Sequence, residues 1–167
     1  MRIAIDTNFL IFCCVKQLRR AIHAHEVLSK LEPKPEFLIP PTVGREFKKL
    51  FDEAPAQEKS EFLRGIRLAR ERRFELVPPK VITHWIPEAG SKELREKGVL
   101  PEAERNDGLI LIEASLLHCE LLVTDDPHLW KSERAKREAV LWHYGKATVP
   151  KSIAMIIQEY GGVRFVL

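Results

Sequence analysis

Short apolar runs alternate with longer amphipathic segments along the 167-residue chain, and this pattern predicts strands that alternate with helices. Short, mainly apolar segments typical of buried strands occupy residues 2–5, 37–39, 74–77 and 121–123, with further candidates at 139–142 and 163–167. Helical periodicity occupies residues 9–18, 20–31, 57–73, 106–117 and 150–160, and another helix follows Thr42, its predicted N-cap. The alternation predicts an α/β domain with a largely parallel central sheet.

Residues 78–103 are the least regular part of the chain. They hold four prolines, two glycines and a charged patch at 92–97 that fits either a helix or a mobile loop. We expect a single domain over residues 1–167, with an insertion at about 78–103.

Composition narrows the class of protein. A content of 45% hydrophobic and 31% charged residues suits a folded core and excludes disordered and collagen-like chains. The longest charge-free apolar run, residues 9–15, is much shorter than the roughly 20 residues of a spanning helix, so we expect no membrane association. Three cysteines, an odd number, favour a reducing cytoplasm, and the net charge of +3 permits a polyanionic partner.

Four acidic residues are predicted to meet at one edge of the sheet. Asp6 directly follows the first apolar run, and Asp126 lies three residues beyond Val123. Glu46 and Asp107 fall in the opening turns of two helices, which begin at the same edge in a parallel α/β layout. Carboxylates that converge in this way repel one another unless protons or a hard cation neutralise them.

An all-oxygen cluster, without cysteine or histidine at a ligand spacing, suits Mg²⁺ or Mn²⁺ better than zinc. Such ions activate water and balance charge on a phosphate, so phosphodiester hydrolysis is the reaction class that the acids imply. Each acid also has a structural alternative. Asp6 or Thr7 is a suitable cap for the next helix, Asp107 and Glu46 suit a first helical turn, and Asp125 and Asp126 suit an ordinary turn before Pro127.

Three segments in chain order resemble the signatures of PIN-domain ribonucleases. They are residues 3–8 (IAIDTN), residues 106–107 (ND) before an apolar run, and residues 122–126 (LVTDD). The resemblance spans essentially the whole domain, and 19 residues separate Asp107 from Asp126. It implies a three-layer α/β/α fold with a mostly parallel sheet.

The resemblance also implies roles for individual residues. Asp6, Glu46, Asp107 and Asp126 would be the catalytic acids of an endoribonuclease, and Asp6, Asp107 and Asp126 would hold one or two Mg²⁺ or Mn²⁺ ions. Asn8 and Thr124 would support the acids through hydrogen bonds, and Asp125 would be a lesser candidate for the metal shell. Glu104, three residues before Asp107, is a further candidate acid. The family includes VapC-like toxins that a small antitoxin holds inactive, as well as RNA-processing nucleases, and dimers are common in it.

Basic residues give a weaker indication of where RNA would bind. Lys131 and Arg134, with Lys136 and Arg137, follow Asp126 and would lie near the cleft. Arg64, Arg67 and Arg70 form either a phosphate rail or a solvated helix face.

Two other functions remain as alternatives. One is a catalytically silent PIN-like domain that binds RNA or acts as a scaffold. The other is a phosphatase of the haloacid dehalogenase type, which is disfavoured because Asn8 stands where that family needs a second acid.

Overall fold

The computed structural model describes residues 1–83 and 85–162. Its centre is a sheet of five parallel strands in the order β3-β2-β1-β4-β5. The strands are β1 (Arg2–Ile5), β2 (Glu36–Ile39), β3 (Phe74–Leu76), β4 (Leu121–Val123) and β5 (Val149–Lys151). After β3 the chain crosses back to the other side of β1. Ligand sites of open α/β sheets form where strand order reverses in this way, here at the carboxyl ends of β1 and β4.

Helices flank this sheet and complete the predicted three-layer α/β/α, PIN-like fold. They are α1 (Thr7–Leu10), α2 (Arg19–Ser29), α3 (Pro41–Glu53), α4 (Ala56–Glu71), α5 (Trp85–Glu96), α6 (Arg105–Leu116), α7 (Pro127–Trp130), α8 (Arg134–Leu141) and α9 (Ile153–Tyr160). Helix α6 is buried from Gly108 to Ser115 and packs against α3 and α5, whereas α2 packs against α9. None of the helices in the described ranges has the length and apolarity needed to cross a bilayer.

The first strands and the helices between them follow the sequence pattern, with one change of helix type. The predicted helix at 9–18 begins earlier, as α1, and continues as a π-helical turn, Ile11–Val15. That turn contains Cys13 and Cys14, which are buried and unbridged, as is Cys119. All three therefore act as small core side chains.

Two predictions for the last third of the chain are wrong. Residues 139–142 form no strand, because Arg137, Val140 and Leu141 are buried at helical spacing and belong to α8. The fifth strand lies instead at Val149–Lys151, where a helix was expected. Pro150 fits there because β5 is an edge strand, and α9 begins only after Ser152, whose side chain accepts a hydrogen bond from the Met155 N–H.

Thr42 is not the N-cap of α3, which begins at Pro41 with Pro40 in the capping position. The irregular segment contains a 3₁₀ turn (Pro79–Val81) and α5, so a large part of it is helical and packs on α6. The strand expected at 163–167 lies outside the described residues.

Candidate active site

Asp6 lies at the carboxyl end of β1 and is only 4% exposed. Its Oδ2 accepts a hydrogen bond from the Thr124 hydroxyl at 2.7 Å, and its Oδ1 accepts one from the Thr7 N–H at 2.6 Å. Burial raises its pKa from 3.8 to about 6, against the opposing effect of these two hydrogen bonds. The nearby charges of Glu46 and Asp126 contribute to the same upward shift.

Asp126 follows β4 and is held by the same threonine. Its N–H donates to Thr124 Oγ1 at 3.0 Å, while its Oδ1 accepts from the His128 N–H at 2.8 Å and caps α7. Both strand-end acids therefore do cap helices, as the structural alternative expects. Each cap uses only the Oδ1 atom of its acid, so capping does not occupy the second carboxylate oxygen.

Asp107 lies in the first turn of α6, and its Oδ2 is buried without a hydrogen-bond partner in the described part of the chain. Burial, together with the negative charges of Asp126, Asp6 and Glu104, raises its pKa from 3.8 to about 8. Carboxylate oxygens of Glu104, Asp107 and Asp126 lie within 4.8 Å of one another. Such crowding is stable at neutral pH only with a shared proton or a cation between the acids.

Glu46, on α3, faces the same edge but lies outside this group of three. Its two oxygens accept hydrogen bonds from the Thr7 hydroxyl and, at 2.9 Å, from Asn106 Nδ2. A cleft of about 360 Å³ runs between these groups. Its lining includes three of the predicted acids, Asp6, Glu46 and Asp107.

Two of the other predicted site residues, Asn8 and Asp125, are placed differently from the expectation. Asn8 lines the cleft, but the donors to Asp6 and Glu46 found in the structure are Thr7, Thr124 and Asn106. Asp125 turns away from the cleft. Its Oδ1 accepts from the Ile153 N–H at 2.9 Å, and its Oδ2 pairs with Arg20 at 3.0 Å.

The predicted RNA contacts have partners of their own. Lys131 lies over the Trp130 ring at 5.0 Å, and Arg134 pairs with Glu138 at 2.8 Å. Both side chains are exposed, so these contacts leave them accessible to a ligand. Arg137 is buried and donates to the Ser132 carbonyl, so it is a structural residue.

Glu104 belongs to the crowded group, although the sequence indicated it only as a further candidate acid. It occupies the N-cap position of α6, one turn before Asp107, and its Oε1 lies 3.8 Å from His128 Nε2. Thr7 and Asn106 were also missed as supports of Glu46. Each directly neighbours a predicted acid in sequence, and that adjacency is the signal that would have identified them.

The residues present fit a hard divalent cation. The donors are carboxylate oxygens, and the only basic side chain within ion-pair distance of the three crowded acids, among the described residues, is His128. The orphaned Asp107 Oδ2 is the atom that a cation would satisfy.

Comparison with known proteins finds the fold but no sequence relative. No family model matches the chain, and no curated protein matches its sequence. Its structure is similar to a chain of VapBC2 from Rickettsia felis, crystallised with a DNA fragment from its promoter, with a TM-score of 0.60 and 19% identity. The match covers 91% of this chain and 98% of that one, so the likeness extends over nearly the whole fold.

Proposed function

We propose that this protein is a Mg²⁺- or Mn²⁺-dependent endoribonuclease of the PIN type. The observation that carries the proposal is the crowding of Glu104, Asp107 and Asp126 within 4.8 Å, beside the buried Asp6. One Asp107 oxygen in this group has no hydrogen-bond partner among the described residues. An arrangement that costs stability in the free protein is characteristic of a site built for a ligand.

The acids divide into two roles. Asp6, Asp107 and Asp126, with Glu104 beside them, would hold one or two ions, which when bound would lower the pKa of a coordinated water and balance charge on the phosphate. Thr124 fixes the orientation of Asp6 and of the turn that carries Asp126. Glu46, oriented by Thr7 and Asn106, is positioned to accept a proton from a water in the cleft.

The biological setting belongs to the same proposal. Because the similar structure is a VapBC2 complex, we propose that the chain is the toxin of a toxin–antitoxin pair, acts on RNA in the cytoplasm and is inhibited by a small antitoxin. We also propose a homodimer, since Trp85 and Trp142 are 69% and 66% exposed. Residues 1–167 would form one domain with the insertion at about 78–103.

Thermal unfolding with and without metal tests the site directly. Wild type and Asp6→Asn are unfolded in EDTA and in millimolar Mn²⁺, with Asp52→Asn, an exposed acid on α3, as the matched control. Mn²⁺ is expected to raise the Tm of wild type and Asp52→Asn but not of Asp6→Asn, because a ligand selective for the folded state stabilises it by mass action.

Cleavage assays on a mixed pool of single-stranded RNA then test the activity. Wild type and Asp52→Asn should cleave in Mn²⁺ and not in EDTA, while Asp6→Asn and Asp107→Asn should be inactive but folded. If the protein binds RNA in EDTA but does not cleave it in Mn²⁺, the proposal of a nuclease is wrong and the catalytically silent RNA-binding domain is favoured. Growth arrest on expression, relieved by co-expression of a neighbouring small gene product, would distinguish a toxin from a processing nuclease.

A further inference from the structure

A second pocket lies at the end of the sheet where the strands begin, whereas the acids lie beyond the carboxyl ends of the strands. It has a volume of about 260 Å³ and sits where β2 and β3 begin. The residues that matter for its chemistry are His25, Ser29, Lys34, Glu71, Arg72 and Arg73. We call it the Arg72 pocket. The four residues of β2 span about 13 Å from its first to its last residue. The pocket lies at the start of this strand and the acidic cleft beyond its carboxyl end, so the two are distinct sites.

The Arg72 pocket carries a surplus of positive charge. Its lining contains three cationic residues, Lys34, Arg72 and Arg73, and one acidic residue, Glu71. Within residues 1–83 and 85–162, none of these three cations lies within 4.0 Å of a carboxylate oxygen. Burial and the adjacent Arg72 charge lower the pKa of His25 from 6.5, so His25 is neutral at pH 7 and adds no charge. The lining therefore has a net charge of about +2.

Arg72 has a donor that the described protein leaves unused. Its Nη1 is buried and has no hydrogen-bond partner among the described residues, although the guanidinium also contacts the Cys14 thiol. Buried donors are nearly always paired in folded proteins, so an unpaired guanidinium nitrogen on a residue that lines a pocket points to an acceptor bound beside it. The guanidinium fork matches the paired oxygens of a phosphate.

The walls of the pocket are rigid. The His25 ring packs against Phe37 and Phe74, with ring centroids 4.9 and 5.1 Å away. The Ser29 hydroxyl donates to the His25 carbonyl at 2.7 Å. At the end of α4, Arg73 adopts a left-handed conformation with φ of 59°, which turns the chain directly into β3. The backbone that carries Arg72 and Arg73 is thus held between packed elements, which limits the entropy lost when these two residues bind an anion.

We propose that the Arg72 pocket binds a phosphate group, with Arg72, Arg73 and Lys34 as its ligands. Two sources share this chemistry: a backbone phosphate of a nucleic acid that extends beyond the acidic cleft, and free phosphate or a small phosphorylated molecule. The site does not depend on the acids, so it stands whether or not the chain cleaves RNA.

The test uses the whole chain in EDTA, so that no metal at the acidic cleft recruits phosphate. ¹H–¹⁵N NMR spectra are recorded while inorganic phosphate is titrated, against chloride at equal ionic strength. The exposed Lys34 and Arg73 are replaced as Lys34→Gln and Arg73→Gln, and Arg67→Gln, an exposed cation elsewhere on α4, is the matched control. These positions are on the surface, so the fold is expected to be retained.

Phosphate is expected to shift the backbone amides around residues 34 and 72–74 more than chloride does. Arg73→Gln and Lys34→Gln should each weaken phosphate binding about tenfold, the effect of losing one charge-assisted hydrogen bond, while Arg67→Gln should match wild type. Equal responses to phosphate and chloride, or an equal loss in Arg67→Gln, would overturn the proposal.

A second measurement distinguishes the two sources. Binding of labelled single-stranded RNA of about 20 nucleotides is followed by fluorescence anisotropy in EDTA at several salt concentrations. If the phosphate belongs to RNA, Arg73→Gln weakens RNA binding and lowers its salt slope by about 0.7 for the lost phosphate contact. If RNA binding is unchanged while phosphate binding is lost, the pocket serves a free phosphate or a small phosphorylated ligand.

Discussion

The Thr124 hydroxyl donates a hydrogen bond to Asp6 Oδ2, with 2.7 Å between the two oxygens, and so connects the end of β4 to the end of β1. The same oxygen accepts the N–H of Asp126 at 3.0 Å. One fully buried side chain therefore sets the position of two strand-end acids. The sheet brings these acids to one edge, and the threonine fixes how they face each other.

Replacing Thr124 by valine keeps its shape and removes the hydroxyl. Thr124→Val is expected to reduce RNA cleavage by about 10- to 100-fold, the usual cost of losing a group that orients a metal ligand. The Thr124 hydrogen bond lowers the pKa of Asp6, so its loss should raise that pKa. The acid limb of the pH–rate profile should therefore move to higher pH. Thr124→Ser, which retains the hydroxyl, is the control, and equal rates in the two variants would contradict this role.

Asp107 should make the metal-free protein less stable as the pH rises. Its folded pKa of about 8 lies above its ordinary value of 3.8, so the folded state binds more protons than the unfolded state between these values. Stability therefore falls as pH rises through this window. Asp107→Asn removes the effect and should stabilise the metal-free protein at pH 8 by about 2 kcal/mol, or about 4–8 °C in Tm.

The measurement for Asp107 is thermal unfolding in EDTA from pH 5 to pH 8. The difference in Tm between Asp107→Asn and wild type should grow with pH, while Asp52→Asn, an exposed acid paired with Lys48, should show no such trend. If Asp107→Asn is less stable than wild type at pH 8, the charged form of Asp107 does not destabilise the folded protein as its burial and neighbouring acids indicate.

Metal binding should release protons. At pH 7 Asp107 is protonated in the metal-free protein, and a bound cation requires its carboxylate form. The apparent Mn²⁺ affinity should therefore rise about tenfold per pH unit between pH 6 and pH 8, and more steeply below about pH 6, where Asp6 also binds a proton.

Calorimetric Mn²⁺ titrations in two buffers of different ionisation enthalpy count the protons released. Wild type should release about one proton at pH 7. An affinity that does not change from pH 6 to pH 8 would mean that the ion binds away from Asp107.

The sequence predicts the centre of this fold better than its ends. In strand β1 three apolar residues follow Arg2 and lead directly to an acid, so both the strand and Asp6 are evident from the pattern. Strand β5 has three residues, including Pro150 and the charged Lys151, and gives no such signal. Its position follows from pairing with β4, a long-range contact that local patterns do not contain.

The candidate site shows the same limit. Asp6 and Asp126 follow strands and are predictable, whereas the role of Glu104 depends on where α6 begins and how its cap meets α7. Asp125 and Asp126 are indistinguishable by composition. The family resemblance favours Asp126, and the packing of the chain against α9 and Arg20 agrees, because it turns Asp125 away from the cleft.

Glu113 connects the two helices that carry Glu46 and Asp107. It lies on α6, is 3% exposed, and accepts hydrogen bonds from the Thr42 N–H at 2.9 Å and the Thr42 hydroxyl at 2.8 Å. Thr42 is on α3, one turn before Glu46, so this contact sets the spacing of the two helices. Glu113→Ala leaves both donors unpaired in the core and should destabilise the protein by about 2–4 kcal/mol.

Glu113→Gln distinguishes the hydrogen bonds from the charge. Burial raises the pKa of Glu113, which means that the buried site disfavours its charged form. A neutral amide that still offers an acceptor oxygen should therefore retain most of the stability. Urea unfolding of the two variants and of wild type measures the difference. Equal losses in Glu113→Ala and Glu113→Gln would show that the charge, through Arg45 at 3.9 Å, holds the helices together.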